Sequence, residues 1–196
     1  MRALVRLFMR IYYCFIKYHV KFFNSKKVKE IDKCIICPNH SNKDEPTWIY
    51  ADIPNLCIMA KAELFEKKIV AKALTYFNVF PIKRGEKDVK SLMHAINLFK
   101  NTSKRKLLIF PEGERIKKEM EKGDAKVGPI YIAIKAGVPI VPTYISKNVD
   151  KFSKVNVIYG EPIYYSSDLI KNKEKLKEAS DELLNTIYSL NKETQA

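Results

Sequence analysis

The run Asn39-His40-Ser41-Asn42-Lys43-Asp44-Glu45 sets a histidine a few residues ahead of two carboxylates. That pairing draws a proton from an alcohol near neutral pH, because imidazole titrates at about 6.5 and a neighbouring acid holds its tautomer. Asp44 or Glu45 is the orienting group. Two further charged segments follow in chain order, Phe80-Pro81-Ile82-Lys83-Arg84-Gly85 and Phe110-Pro111-Glu112-Gly113-Glu114-Arg115. Arg84 offers a guanidinium fork for a phosphate, Gly85 permits close backbone approach, and Lys83 is placed to assist. Glu112 either accepts a hydrogen bond from a substrate hydroxyl or locks Arg84, and Arg115 is a second phosphate candidate. For each of these charged groups a structural ion pair is the competing reading. The chemistry described is transfer onto a phosphorylated alcohol.

With Val138-Pro139-Ile140-Val141-Pro142 added, the four segments resemble, in order, the four motifs of the glycerolipid acyltransferase family. That family includes lysophosphatidate and glycerol-3-phosphate acyltransferases. Three departures stand out. The acidic place of the first motif, usually Asp, is filled by Glu45 when read by spacing, with Asp44 one residue early. Phe80 lies one residue further from Arg84 than usual, and Glu114 stands where Thr is common.

The resemblance implies transfer of a fatty acyl group from a thioester, carried by coenzyme A or acyl carrier protein, to the free hydroxyl of lysophosphatidate, giving phosphatidate. Glycerol 3-phosphate or another lysophospholipid is the alternative acceptor. His40 would be the base, without a covalent acyl-enzyme, and the family's association of these motifs with acceptor binding falls on Arg84, Glu112 and Gly113. Backbone N–H groups near the first or third segment are the expected oxyanion donors. Val138, Pro139 and Ile140 either wall the acyl chain or form a core strand. No metal or cofactor is implied beyond the thioester co-substrate, since the three histidines are scattered.

These residues need a scaffold, and the chain alternates short apolar runs with helical patterns. Strands are expected over Lys33–Cys37, Leu56–Met59, Val79–Ile82, Lys106–Phe110, Val138–Ile145 and Lys154–Tyr159. Helices are expected over Glu45–Tyr50, Ala62–Tyr76, Asp88–Lys100, Pro129–Lys135 and within Asp168–Asn191, where Leu169, Leu176, Leu183 and Leu190 recur. Alternation of this kind implies α/β architecture, a mixed, largely parallel sheet flanked by helices. Loops at the C-terminal ends of its strands would bring the charged segments to one crevice.

The N-terminus differs in character. From Met1 to Phe23, Arg2, Arg6, Arg10, Lys17 and Lys21 fall in one sector about 100° wide when wound as a helix, with apolar residues elsewhere. An amphipathic helix lying on a membrane surface is expected, since its longest charge-free run falls far short of the roughly 20 residues that span a bilayer. The division is therefore residues 1–25 as membrane-associating segment and 26–196 as acyltransferase domain, peripheral on the cytoplasmic face of the membrane.

A net charge of +14 points to an anionic partner. An anionic membrane surface is expected rather than nucleic acid, for no zinc-finger, helix-turn-helix or RNP-like pattern is visible. A basic nucleic-acid-binding module and a non-enzymatic membrane-binding protein are the remote alternatives. Cys34 and Cys37 form a C-x-x-C inside an apolar run, which suits buried structural thiols better than a redox pair.

Overall fold

Four-residue apolar runs such as Cys34-Ile35-Ile36-Cys37 are too short for a buried helix and become strands covered on both faces. The computed structural model describes residues 2–83, 88–116 and 122–193. Helix α1 (Arg2–Met9) runs on as a π-helical turn over Arg10–Ile16, followed by β1 (His19–Phe23), α2 (Ser25–Glu30), β2 (Lys33–Pro38) and α3 (Glu45–Asp52). Next come β3 (Leu56–Lys61), a 3₁₀ turn (Ala62–Phe65), α4 (Lys68–Tyr76), β4 (Val79–Ile82), α5 (Val89–Asn97) and β5 (Arg105–Leu108). The chain closes with α6 (Gly128–Ala136), β6 (Ile140–Ile145), β7 (Lys154–Tyr159), a 3₁₀ turn (Ser167–Lys171) and α7 (Lys173–Glu193).

The strands form one seven-stranded sheet in the order β1-β7-β6-β2-β5-β3-β4. Every neighbouring pair is parallel except β6 with β7. The α/β class and the mixed, largely parallel sheet are as the sequence implies. Alternate residues of β2 feed two cores. Cys34 and Ile36 join Trp48 and Ile49 of α3, and Ile35 and Cys37 join Ile130 of α6 and Leu183 of α7. The two cysteines thus face opposite layers, which excludes a bond between them, and burial pushes the Cys34 thiol up to about 12.

The helix expected through Phe23 stops at Ile16, and His19–Phe23 is instead the edge strand β1, paired with β7. Lys21 fits both readings, since it lies in the helical cationic sector and also on the outward side of a strand whose Val20 is buried. The cationic stripe is also turned inward in part. Arg6 donates from Nε to the Tyr50 carbonyl and from Nη2 to the Asp52 carbonyl, both at 3.1 Å, capping the C-terminal end of α3. Leu4, Leu7, Phe8, Ile11, Phe15 and Ile16 are left exposed on the other side.

The expected Ala62–Tyr76 helix breaks into the 3₁₀ turn and α4, and α4 has no buried residue. In the tail, Leu176, Leu183, Ile187 and Leu190 are buried, while Leu169 belongs to the preceding turn.

Asp52, at the end of α3, ties three elements together. Its carboxylate accepts from Ser25 Oγ and Lys29 Nζ of α2, both at 2.6 Å, and from Tyr159 Oη of β7 at 3.2 Å. Asp52→Ala strands a buried phenol and removes the partner of Lys29, so urea unfolding should show a loss of roughly 3 kcal/mol. A loss below measurement error would show that these contacts hold nothing together.

Candidate active site

β2 lies inside the sheet between β5 and β6, so the loop leaving its C-terminal end opens where neighbouring loops converge. Asn39, fully buried, fixes where that loop begins. Its Nδ2 donates to the Ile145 carbonyl at 2.9 Å and its Oδ1 accepts the Ile145 N–H at 2.7 Å, extending the β2–β6 ladder by a side chain. His40 follows with its backbone held at both ends: its N–H donates to Glu112 Oε2 at 2.7 Å and its carbonyl accepts the Ile116 N–H at 2.8 Å.

The two candidate carboxylates separate cleanly. Glu45 Oε2 lies 2.6 Å from His40 Nδ1. Glu45 is 0 % exposed, and its carboxylate also accepts from the Ser41 N–H, Ser41 Oγ and the Asn42 N–H at 2.8–3.1 Å. It sits in the first turn of α3, beside Pro46, where the helix dipole favours an anion. Asp44, one residue earlier, points to the N-terminal segment and accepts from Lys17 Nζ at 2.6 Å and Tyr18 Oη at 2.7 Å. That contact raises the Lys17 ammonium above its ordinary pKa. Because Glu45 can only accept when ionised, it places the proton on Nδ1 and leaves Nε2 of His40 to take one from a substrate.

The Phe110 ring, which opens the third motif but is given no role of its own from sequence, lies against the imidazole with centroids 3.8 Å apart and planes 23° apart. Stacked contact of that kind restricts the plane of the imidazole. Its only sequence signal is its place at the strand end before Pro111-Glu112.

Glu112 is brought to His40, but not as a free acceptor. Besides the His40 N–H it takes the Gly123 N–H and the Tyr188 hydroxyl, each at 2.8 Å, and it is 2 % exposed. Both oxygens are therefore committed to protein donors. Gly113 supplies a left-handed turn at φ +74, where an added Cβ would also meet the Lys126 side chain at 3.3 Å.

A cavity of about 430 Å³ starts at His40 and Phe110. Apolar side chains from Met9, Tyr50, Ile58, Leu64, Leu74 and Phe77 line it, and Lys43, Lys61 and Arg115 supply cations. Lys61 is paired with Glu63 at 2.9 Å. Arg115 is thus brought beside His40. Lys83 is not: it ends β4 at the far edge of the sheet, exposed, with its N–H on Asp88. Arg84 and Gly85 lie outside the described residues. Val138, Pro139 and Ile140 are buried but do not line this cavity; Val138 and Ile140 belong to the opposite core, under α6 and α7. In the described geometry they serve as core, not as cavity wall.

Most of the expected oxyanion donors of the first segment are also spoken for. The N–H groups of His40, Ser41, Asn42, Asp44 and Glu45 all donate within the protein.

The geometry separates the carboxylates by experiment. Glu45→Gln should lower kcat by roughly 10²- to 10⁴-fold with the fold intact, as when a histidine loses its orienting anion. Asp44→Asn should act mainly on thermal stability, through Lys17 and Tyr18. The reverse pattern would assign the role to Asp44.

Residues 19–146 match the Acyltransferase family. Curated relatives include the 1-acyl-sn-glycerol-3-phosphate acyltransferase of Streptococcus pneumoniae, 28% identical over 182 residues that cover 89% of this chain and 67% of the relative. The enzyme of that name from Bacillus subtilis is 27% identical, over 87% of each chain. Among solved structures, the 1-acyl-sn-glycerophosphate acyltransferase of Thermotoga maritima superposes with a TM-score of 0.73 at 22% identity, over 97% of this chain and 79% of that one, and shares the fold. The His40 loop, the Phe110–Arg115 turn and strands β1 to β6 fall inside the matched span, and the chain belongs to the Acyltransferase family.

Proposed function

We propose that this protein is a 1-acylglycerol-3-phosphate O-acyltransferase, moving a fatty acyl group from a thioester to the free hydroxyl of lysophosphatidate and forming phosphatidate. The observation that carries the reading is the His40–Glu45 pair at the end of an apolar cavity with exposed cations at the same place. The names of the curated relatives support it.

His40 Nε2 takes the hydroxyl proton as the acceptor oxygen attacks the thioester carbonyl, and Glu45 stabilises the imidazolium. The tetrahedral adduct collapses with cleavage of the carbon–sulfur bond, and the departing thiolate takes the proton back from Nε2. Lys43 and Arg115 face the developing oxyanion and the acceptor phosphate, a role the engaged loop amides leave open. Arg84 keeps its role as a phosphate ligand on the strength of the motif alone. The apolar lining takes the acyl chain. The donor carrier is coenzyme A or acyl carrier protein, and both belong in the assay.

The same reading places the protein peripherally on a membrane, at the cytoplasmic face. Among the described residues no helix is long and apolar enough to cross a bilayer. The first helix exposes its apolar side, and Met9 from that helix lines the cavity, so a lipid substrate in the interface lies next to the site.

Mass spectrometry of products with lysophosphatidate, glycerol 3-phosphate and other lysophospholipids tests the acceptor. Lysophosphatidate should be preferred, and His40→Ala should lose at least 10²-fold in turnover. Folded His40→Ala protein with near wild-type turnover would end this mechanism. Arg115→Ala should raise the acceptor KM far more than the donor KM, and equal shifts would remove it from phosphate binding. Replacing Phe8 and Phe15 together by Asp should abolish sedimentation with anionic vesicles while leaving turnover of a water-soluble short-chain acceptor. Unchanged sedimentation would place the membrane contact elsewhere.

A further inference from the structure

Tyr188 lies in α7, outside the span that matches the family and away from every motif, yet it reaches the centre of the site. Its hydroxyl donates to Glu112 Oε1 at 2.8 Å across 76 residues of sequence. The other oxygen of that carboxylate holds the His40 N–H at 2.7 Å. The Tyr188 ring is itself fixed, with Tyr144 edge-on at 6.2 Å and Lys147 Nζ 5.4 Å from its centroid. It does not line the cavity.

We propose that Tyr188 is a positioning residue for acyl transfer: its hydroxyl aligns Glu112, and Glu112 sets the backbone of His40 so that Nε2 points at the acceptor hydroxyl. The inference rests on the functional reading above. Glu112 is a buried carboxylate with three protein donors among the described residues, and the one from Tyr188 reaches it from the last helix, α7. Without it, Oε1 keeps a single donor, Gly123, and the carboxylate gains freedom to rotate. The His40 N–H follows that rotation, while Glu45 still holds Nδ1, so the ring pivots about its carboxylate contact. Displacement of a base by a fraction of an ångström reduces turnover without altering how substrates dock. Burial and the facing Glu112 both raise the phenol's pKa, so the hydroxyl remains a donor throughout the working pH range.

Tyr188→Phe removes the hydroxyl and keeps the ring. With activity normalised to the folded fraction from circular dichroism, its kcat should fall about 10-fold while the KM of thioester and of lysophosphatidate each stay within about twofold. In a Glu112→Ala background the same change should cost little more, since the acceptor of that hydrogen bond is already gone. A folded Tyr188→Phe protein with wild-type kcat, or one altered only in melting temperature, overturns the proposal and leaves Tyr188 as packing. So does a full additional 10-fold loss in the Glu112→Ala background. Wild-type protein that transfers no acyl group to lysophosphatidate fails the functional reading itself, a result distinct from either.

Discussion

A carboxylate with no solvent exposure is tolerated only when its lone pairs are filled, for a buried unpaired charge costs several kcal/mol. Glu45 meets that condition by wrapping the Ser41–Asn42 backbone around itself, and the remaining donor site is the imidazole of His40. The loop conformation, the ring orientation and the tautomer all follow from one buried anion. Glu112 repeats the arrangement on the other side, gripping the His40 backbone rather than its ring. His40 thus sits between two buried carboxylates with separable contacts: one holds the ring at Nδ1, the other holds the backbone N–H.

α3 connects this chemistry to the rest of the molecule because it is pinned at both ends. Its first residue is Glu45. Its last carbonyls receive Arg6, and its last side chain, Asp52, gathers α2 and β7. Arg6 also explains the orientation of the N-terminal helix. An amphipathic helix on a soluble core ordinarily buries its apolar side. Here the guanidinium satisfies carbonyls at a helix C-terminus, where a cation is favoured, and the apolar side is left outward. Lys17 adds a second tether through Asp44, next to the acid that orients the base.

The strands that position the site were legible because β2 and β5 carry short apolar runs that end at Pro38 and before Pro111, and the histidine proposed as the base follows the first of them. The choice between Asp44 and Glu45 was not legible. It depends on where the first turn of α3 starts, and neighbouring acids differ there only by rotation about the helix axis. The role of Val138–Ile140 was hidden for another reason: β6 is buried along its whole length, so alternation carries no sign of which side meets a substrate. His19–Phe23 misled through Lys21, which suits a period of 3.6 and a period of 2 equally. Tyr188 gave no signal at all, because it lies off the leucine stripe of α7 and its partner is a distant loop.

The sheet keeps the two kinds of work apart. The apolar cavity is built largely from the layer of the N-terminal helix, α3 and α4, whereas Glu112 is held by Tyr188 from the layer of α7. His40 stands between them just past the C-terminal end of the interior strand β2, with Phe110 covering its ring. The lining of the cavity is mostly apolar, while Glu45 and Glu112, which hold His40, lie outside that lining. On the proposed reading, chain length and catalytic geometry are therefore adjustable independently: Leu64, Leu74 and Phe77 shape the cavity and take no part in the hydrogen bonds that hold His40.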